Sequence, residues 1–155
     1  MEITTEELQS AVRASIASDP RLPYPDEIAV DAYGGAVTLR GTVGNFAEKR
    51  AAVADARRTR GVDEVYDELQ VRLLDRDKRE DAEIRGAALQ RLIWDPQLVA
   101  DFLGVEVKDG WVTLKGDVDH QYQSDDAFDH VAGLRGVTGV TNKIKVVEPS
   151  ARAIP

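Results

Sequence analysis

A repeat at an offset of 75 residues restricts the folds open to this chain more than any other feature. Between residues 35–74 and 110–149, 12 of 40 aligned positions are identical. The identities fall on glycines and on alternating apolar positions, as in "GAVTLRGTV" against "GWVTLKGDV". Because a shared fold restricts these positions most, the pattern indicates one structural unit present twice.

Each unit begins with a pattern typical of an amphipathic helix. In the first unit Leu8, Val12 and Ile16 recur every four residues, after a Thr4-x-x-Glu7 spacing that matches a capping box. An Asp-Pro pair ends this helix in both units, because proline disfavours the helical conformation in the residue before it.

A hairpin, a second helix and a last strand follow in each unit. Alternating apolar residues flank a Gly-Gly pair in the first unit and an Asp-Gly pair in the second, which is a strong two-residue turn signal. The second helices are predicted over about 46–60 and 124–135, with Ser124 as N-cap of the latter. Gly61 and Gly136 are placed to end these helices in the left-handed conformation.

This order of elements predicts an α+β fold. A strand–helix–strand step favours a right-handed crossover, which places the last strand parallel to the second. We therefore expect two tandem αββαβ units, each a three-stranded mixed sheet with two helices on one face. The expected domains are 1–75 and 76–150, followed by a loose tail over 151–155.

The sheet face that the helices leave uncovered is the expected contact surface. A two-residue turn fixes the hairpin register and places Lys108 opposite Trp111, so Trp111 projects from the open face. Two interpretations of Trp111 remain: it packs against the other unit or covers a strand edge, or it contacts a ligand or partner together with Lys108 and Lys115. Trp94, at the end of a helix, is expected in the core.

Composition excludes several classes of function. The net charge is −8, with −4 in each half when the chain is split at Arg76, so we expect no nucleic-acid partner. The absence of cysteine excludes disulfides and thiolate catalysis. Neither a signal peptide nor a transmembrane span is evident, so we expect a cytoplasmic protein that is peripheral to any membrane it binds.

The densest polar cluster, within residues 117–130, contains both histidines of the chain. Carboxylates suit a hard cation, but the spacing matches no ion-binding loop, and acidic residues in a first helical turn favour the helix dipole without a ligand. We therefore expect no metal and no cofactor. The weak candidates for a cation site are Asp117, Asp119, His120, Asp125 and Asp126.

A basic cluster comprises Arg57, Arg58 and Arg60. Cations near a helix C-terminus interact favourably with the dipole, which accounts for these residues without a ligand. The alternative is a phospholipid-headgroup contact, because local basic residues can act despite the global charge. No phosphate loop, dinucleotide motif or metalloprotease motif is present, so no enzymatic activity is expected.

Together these motifs resemble the BON domain, a module named from bacterial osmotically inducible and nodulation proteins. The second unit has "GWVTLKGDV" and then "GVTGVTNKIKV"; the first has "GAVTLRGTV" and then "GVDEVYDELQV". The first unit departs at Asp67, where the pattern has asparagine. The resemblance covers residues 4–75 and 80–148. It implies an αββαβ fold and association with phospholipid or envelope surfaces under stress, and it supplies no catalytic motif.

The leading hypothesis is therefore a non-enzymatic tandem BON protein that binds phospholipid or cell-envelope surfaces in osmotic or other stress. Most members of the family are exported or lipid-anchored, and the lack of both signals here favours an intracellular version. One alternative is a cytosolic module that responds to potassium or divalent cations. The other is a protein-interaction or self-assembly module, forming homo-oligomers through its open sheet faces.

Overall fold

The chain divides into two compact units between Arg72 and Leu73. The computed structural model describes residues 3–99 and 103–147. The tail expected over 151–155 lies outside the described residues.

Both units have the predicted order of elements. Unit 1 consists of α1 (Thr5–Ala17), β1 (Ile28–Tyr33), β2 (Ala36–Val43), α2 (Phe46–Arg58) and β3 (Glu64–Val71), with one 3-10 turn at Pro25–Glu27. Unit 2 consists of a 3-10 turn at Asp75–Asp77 and then α3 (Asp81–Trp94), β4 (Leu103–Lys108), β5 (Trp111–Val118), α4 (Gln121–Ala132) and β6 (Gly139–Val146).

The strands of each unit form one three-stranded mixed sheet. The orders are β1-β2-β3 and β4-β5-β6, with the first pair antiparallel and the second pair parallel. The hairpin registers pair Tyr33 with Ala36 and Lys108 with Trp111, as the turns predict. The predicted α+β fold class is confirmed.

The two helices of each unit cover one face of its sheet and enclose its core. The fully buried residues of unit 1 come from α1, from alternate positions of the strands and from α2: Leu8, Val12, Ile16, Val30, Val37, Leu39, Ala52 and Ala56. Their counterparts in unit 2 are Ile84, Ala88, Leu92, Val105, Val112, Leu114, Ala127 and Val131. The repeated apolar pattern is therefore the pattern of the core, and the opposite face of each sheet carries the other set of side chains.

The helix boundaries follow from their caps. Thr4 and Glu7 form the predicted capping box on α1, with the Thr4 hydroxyl accepting a hydrogen bond from the Glu7 N–H at 3.1 Å. Helix α2 ends at Arg58, two residues earlier than predicted, because Thr59 is already extended. Gly61, with φ +100°, has the left-handed conformation that the sequence predicted.

Helix α4 starts before Ser124, the predicted N-cap, which lies buried inside it. The Oε1 of Gln123 accepts hydrogen bonds from the backbone N–H groups of Asp119 and His120, at 3.0 and 2.9 Å, and so starts the helix. The Ser124 hydroxyl instead accepts a hydrogen bond from Nδ2 of Asn142 at 2.9 Å and ties α4 to β6. The expectation that Ser124 caps α4 is wrong.

Among the described residues, none of the helices is long and apolar enough to cross a membrane.

Candidate functional site

Trp111 lies on the open sheet face of unit 2, across the neighbouring strand. Its indole covers Gly139, where an added Cβ would come within 2.3 Å of the ring. Its Nε1–H donates a hydrogen bond to the Thr141 hydroxyl at 2.8 Å. The side chain is still 44% exposed, so it covers β6, the edge strand beside its own, and also presents one side of its ring to solvent.

Lysines share this open face, which we call the basic face, with Trp111. Lys108 lies opposite Trp111, and Lys115 lies opposite Lys143 on β6. The Lys115 ammonium turns to Glu106 instead, at 3.1 Å. The basic face carries four lysines against two carboxylates: Lys108, Lys115, Lys143 and Lys145 against Glu106 and Asp117.

The open face of unit 1, the acidic face, has the opposite sign. Arg40 occupies the position of Lys115, but its strand partner is Glu68, and the two side chains form an ion pair of 2.7 Å. The face carries three carboxylates against one guanidinium: Asp31, Glu64 and Glu68 against Arg40. Two exposed tyrosines, Tyr33 and Tyr66, lie among them.

A second surface in unit 2 is formed by the end of α3 and the turn after it, residues 93–99, here the α3 end segment. Ile93 is 61% exposed, Trp94 is 73% exposed and Val99 is 56% exposed. The expectation that Trp94 lies in the core is wrong, because Leu92 points inward and a residue two positions later is rotated by ~200° around the helix. The series of apolar residues four positions apart, which ends at Leu92, already implied that Trp94 points away from the core.

A carboxyl pair is buried between α1 and α2 of unit 1. Asp55 on α2 is 1% exposed and lies next to Asp19, which follows α1. Burial raises the pKa of Asp55 to about 6, with a further increase from the neighbouring Asp19 carboxylate. The hydrogen bond from Arg21 holds the pKa of Asp19 well below its usual range, and Arg58 bonds to Asp55.

The equivalent pair in unit 2 is Asp95 and His130, joined at 2.8 Å between Oδ2 and Nε2. The pKa of Asp95 is lowered, mainly by this hydrogen bond to His130 and further by the Gln97 N–H. Unit 2 therefore balances its carboxylate with an imidazole, whereas unit 1 uses two arginines.

The predicted cation candidates do not come together. Asp117 lies on the basic face, Asp119 and His120 precede α4, and Asp125 and Asp126 lie in the second turn of α4. The Asp125 carboxylate accepts a hydrogen bond from the side-chain amide of Gln121 at 3.0 Å, within the helix. In the part of the chain that the structure describes, no three His, Asp or Glu side chains group as a metal site.

The predicted headgroup arginines are only partly available. Arg58 is engaged by Asp55, while Arg57 and Arg60 are exposed. Arg57 lines an open groove of about 540 Å³ together with Asp63 and Glu64, whose carboxylates disfavour an anion there.

Comparison with known proteins decides the family. A model of the BON domain matches residues 4–72 and 80–148, nearly the whole of the chain. The chain belongs to the BON domain family. It is also 31% identical over 147 residues to osmotically-inducible protein Y of Escherichia coli (strain K12), covering 89% of this chain and 70% of that protein. Neither this relative nor the family is known for enzymatic activity.

Two solved structures of CdsD, a structural protein of the type III secretion system of Chlamydia trachomatis, also align with this BON protein. The first is 13% identical with a TM-score of 0.40, covering 99% of this chain and 71% of that one. The second, of the C-terminal domain, is 12% identical with a TM-score of 0.38 and covers 94% and 68%.

Proposed function

We propose that this tandem BON protein is a non-enzymatic binding module of a stress response, and that it attaches to phospholipid surfaces through the α3 end segment. The stress role follows the osmotic induction in the name of its relative. The observation that supports the lipid contact is the 73% exposure of Trp94 beside exposed Ile93. An exposed tryptophan with neighbouring aliphatic residues is typical of protein and membrane contacts, because its ring suits the boundary between apolar and polar surroundings.

The charge of the α3 end segment is compatible with a lipid surface. Asp95 is its acidic residue, and His130 lies against that carboxylate. Arg91 is exposed one turn earlier on the helix. The charges of Asp95 and Arg91 cancel in sum, so the contact of the segment with a bilayer depends on apolar burial more than on charge.

The free energy of burying the Trp94 side chain gives the expected strength of the lipid contact. Transfer of one large side chain from water to an apolar environment is worth about 1.5–3 kcal/mol, and about 1.4 kcal/mol corresponds to a tenfold change in affinity. Replacement of Trp94 by alanine should therefore weaken vesicle binding by about tenfold or more.

The two tryptophans of the chain allow a matched test, because one lies on each surface of unit 2. Trp111→Phe leaves Trp94 as the fluorescent reporter, and Trp94→Phe leaves Trp111. On titration with phosphatidylcholine vesicles, with and without a fraction of phosphatidylglycerol, we expect a blue shift from the Trp94 reporter and none from the Trp111 reporter. Co-sedimentation of the Trp94→Ala and Trp111→Ala variants gives the affinities.

The outcome that contradicts the proposal is clear. If neither vesicle type shifts Trp94 or pellets the protein, the lipid contact is wrong. If pelleting survives Trp94→Ala but is lost in Arg57→Ala/Arg60→Ala, the contact is the arginine cluster of unit 1. We expect that arginine variant to bind within about twofold of wild type, since partial neutralisation by nearby carboxylates leaves surface arginines a small contribution.

A further inference from the structure

The open sheet faces of the two units are opposite in charge and alike in shape. We infer that the acidic face of one copy docks on the basic face of a second copy, so that the protein associates head to tail. This inference does not depend on the proposed lipid contact, because the basic face points away from the helices of unit 2 whereas the α3 end segment belongs to them.

The net charges of the two faces are equal in size and opposite in sign. Three carboxylates against one guanidinium give the acidic face a net charge of −2. Four lysines against two carboxylates give the basic face a net charge of +2. Both faces are three strands wide and have the same register, so complementary charge is presented on surfaces built to the same dimensions.

The basic face keeps a repulsive arrangement that unit 1 avoids. Arg40 and Glu68 pair across the second and third strands of unit 1 at 2.7 Å. At the same place in unit 2, two lysines, Lys115 and Lys143, lie directly opposite each other. Two ammonium groups side by side on one face repel each other. Lys115 turns to Glu106, and a carboxylate supplied by another molecule would reduce the repulsion further.

Aromatic side chains add apolar area and cation–π partners to the contact. Tyr33, at the end of the acidic face, is 90% exposed, and Tyr66 is 53% exposed. Trp111 supplies the exposed aromatic edge of the basic face. Tyrosine and tryptophan are enriched among the residues that dominate binding energy, and lysine ammonium groups are attracted to their ring faces.

The size of the faces sets the strength of the association. Two strands of 8 residues and one of 6, at about 3.3 Å per residue and about 4.8 Å apart, give roughly 350 Å² for each face. One contact then buries roughly 700 Å², below the roughly 1,200 Å² of stable specific interfaces, so association should be weak and sensitive to salt. Each contact leaves one acidic and one basic face unused, so copies add until a ring closes or a chain extends.

The experiment reverses the sign of each face separately. Asp31→Lys/Glu64→Lys makes the acidic face basic, and Lys108→Glu/Lys143→Glu makes the basic face acidic. In this second variant, Lys143→Glu also gives Lys115 the acidic strand partner that Arg40 has in unit 1. The matched control for the Lys108→Glu/Lys143→Glu variant is Arg91→Glu/Arg135→Glu, which changes the charge of unit 2 by the same amount at exposed positions outside the sheet.

Sedimentation equilibrium without lipid measures the mass over concentrations up to ~1 mM, which covers dissociation constants of weak complexes. We expect wild type and the control to associate at low salt, and each face variant alone to bind itself at least tenfold more weakly. An equimolar mixture of the two face variants should associate again, because each restores the partner that the other lacks.

Three results would overturn the inference. Wild type could remain a monomer at every concentration, the face variants could associate like wild type, or their mixture could stay monomeric although circular dichroism shows both to be folded. Binding of anionic vesicles through Lys108 and Lys143 in a protein that never self-associates would assign the basic face to a membrane instead. Whether Trp94 responds to vesicles does not affect the sedimentation results obtained without lipid, so each proposal can be refuted without refuting the other.

Discussion

Substitution of Asp55 by asparagine should stabilise unit 1 at neutral pH. In the folded protein the pKa of Asp55 is raised to about 6, first by burial and then by the adjacent Asp19 carboxylate. Among the residues that the structure describes, its buried Oδ2 has no hydrogen-bond partner. A proton on this oxygen finds an acceptor in Asp19, so the pair is best satisfied when it holds one proton.

The sign of the pH dependence follows from the raised pKa. Between the unfolded value of 3.8 and about 6, folded unit 1 binds a proton that the unfolded chain has released. The stability contribution of Asp55 is therefore complete below pH 3.8 and is lost as the pH rises through about 6. Each pKa unit corresponds to about 1.4 kcal/mol, so the full loss is of the order of 3 kcal/mol.

Asp19 acts in the opposite direction. Its pKa is lowered, first by the hydrogen bond from Arg21 and then by the Asp55 hydrogen bond, so its contribution exists above the unfolded value of 3.8 and disappears as the pH falls below it. The contribution of the Asp19–Asp55 pair to the stability of unit 1 should thus be greatest near pH 4, where Asp19 is ionised and Asp55 is protonated.

Asparagine imitates the protonated acid at every pH. Its amide donates to Asp19 and its carbonyl continues to accept from Arg58, although the charge attraction to Arg58 is lost. We expect Asp55→Asn to raise the stability of unit 1 at pH 7 by about 1–3 kcal/mol and to leave it unchanged near pH 4.

Urea unfolding followed by hydrogen exchange of peptides from α1 and α2 measures unit 1 at each pH. Tryptophan fluorescence, which reports only unit 2, should not respond to Asp55→Asn. The exposed Asp26→Asn variant is the control and should show the wild-type profile. If Asp55→Asn stabilises unit 1 no more at pH 7 than at pH 4, the carboxyl pair does not hold the proton and the reasoning fails.

Three further predictions concern single positions of the repeat. His130→Asp places two carboxylates together at Asp95 without the arginines of unit 1, and should destabilise unit 2 at pH 7 by about 1–3 kcal/mol, measured by tryptophan fluorescence in urea. Gly139→Glu should displace Trp111, red-shift its emission and cost about 1–3 kcal/mol, and Trp111→Ala in the same chain should recover most of that loss. Gly41→Ala, at φ +127° with a backbone oxygen 2.0 Å from the added Cβ, should cost more than about 2 kcal/mol in thermal or urea unfolding of unit 1.

The sequence predicted the fold because the signals of fold were local or periodic. The capping box at Thr4, the Asp109-Gly110 turn and the strand alternation each report a short-range preference, and the repeat supplied the turn and the alternation twice. The misplaced start of α4 shows where this approach fails. A side-chain cap by Gln123 and a buried Ser124 depend on neighbours that a single sequence does not place next to each other.

The candidate sites were harder to predict because they depend on what surrounds each side chain. Trp94 and Trp111 are the same residue type, yet one is mainly exposed at a helix end and the other covers a strand. Arg57 and Arg58 are neighbours in sequence, but Arg58 is engaged by a buried carboxylate from its own helix. Residue type suggested Trp111 and the arginines as contacts and Trp94 as a core residue, whereas only their packing separates available groups from occupied ones.

Departures between the two units come in matched sets, which indicates how the copies diverged. Where unit 1 has the ion pair of Lys49 with Asp67, unit 2 has the hydrogen bond of Asn142 with Ser124. This matched change accounts for Asp67, where unit 1 departs from the family pattern.

The same matching holds at the edge of the sheet and between the helices. Trp111 on β5 occurs with Gly139 on β6, whereas unit 1 has Ala36 and Glu64 at these positions. His130 faces Asp95, whereas unit 1 has two carboxylates and two arginines in the same place. Each substitution is therefore compensated inside its own unit. The facing pair Lys115 and Lys143 is compensated only in part, because Glu106 binds Lys115 at 3.1 Å and Asp117 lies opposite Lys145 rather than Lys143. An arrangement that its own unit compensates only in part is where a partner contributes most, and the acidic face of a second copy has the carboxylates to do so.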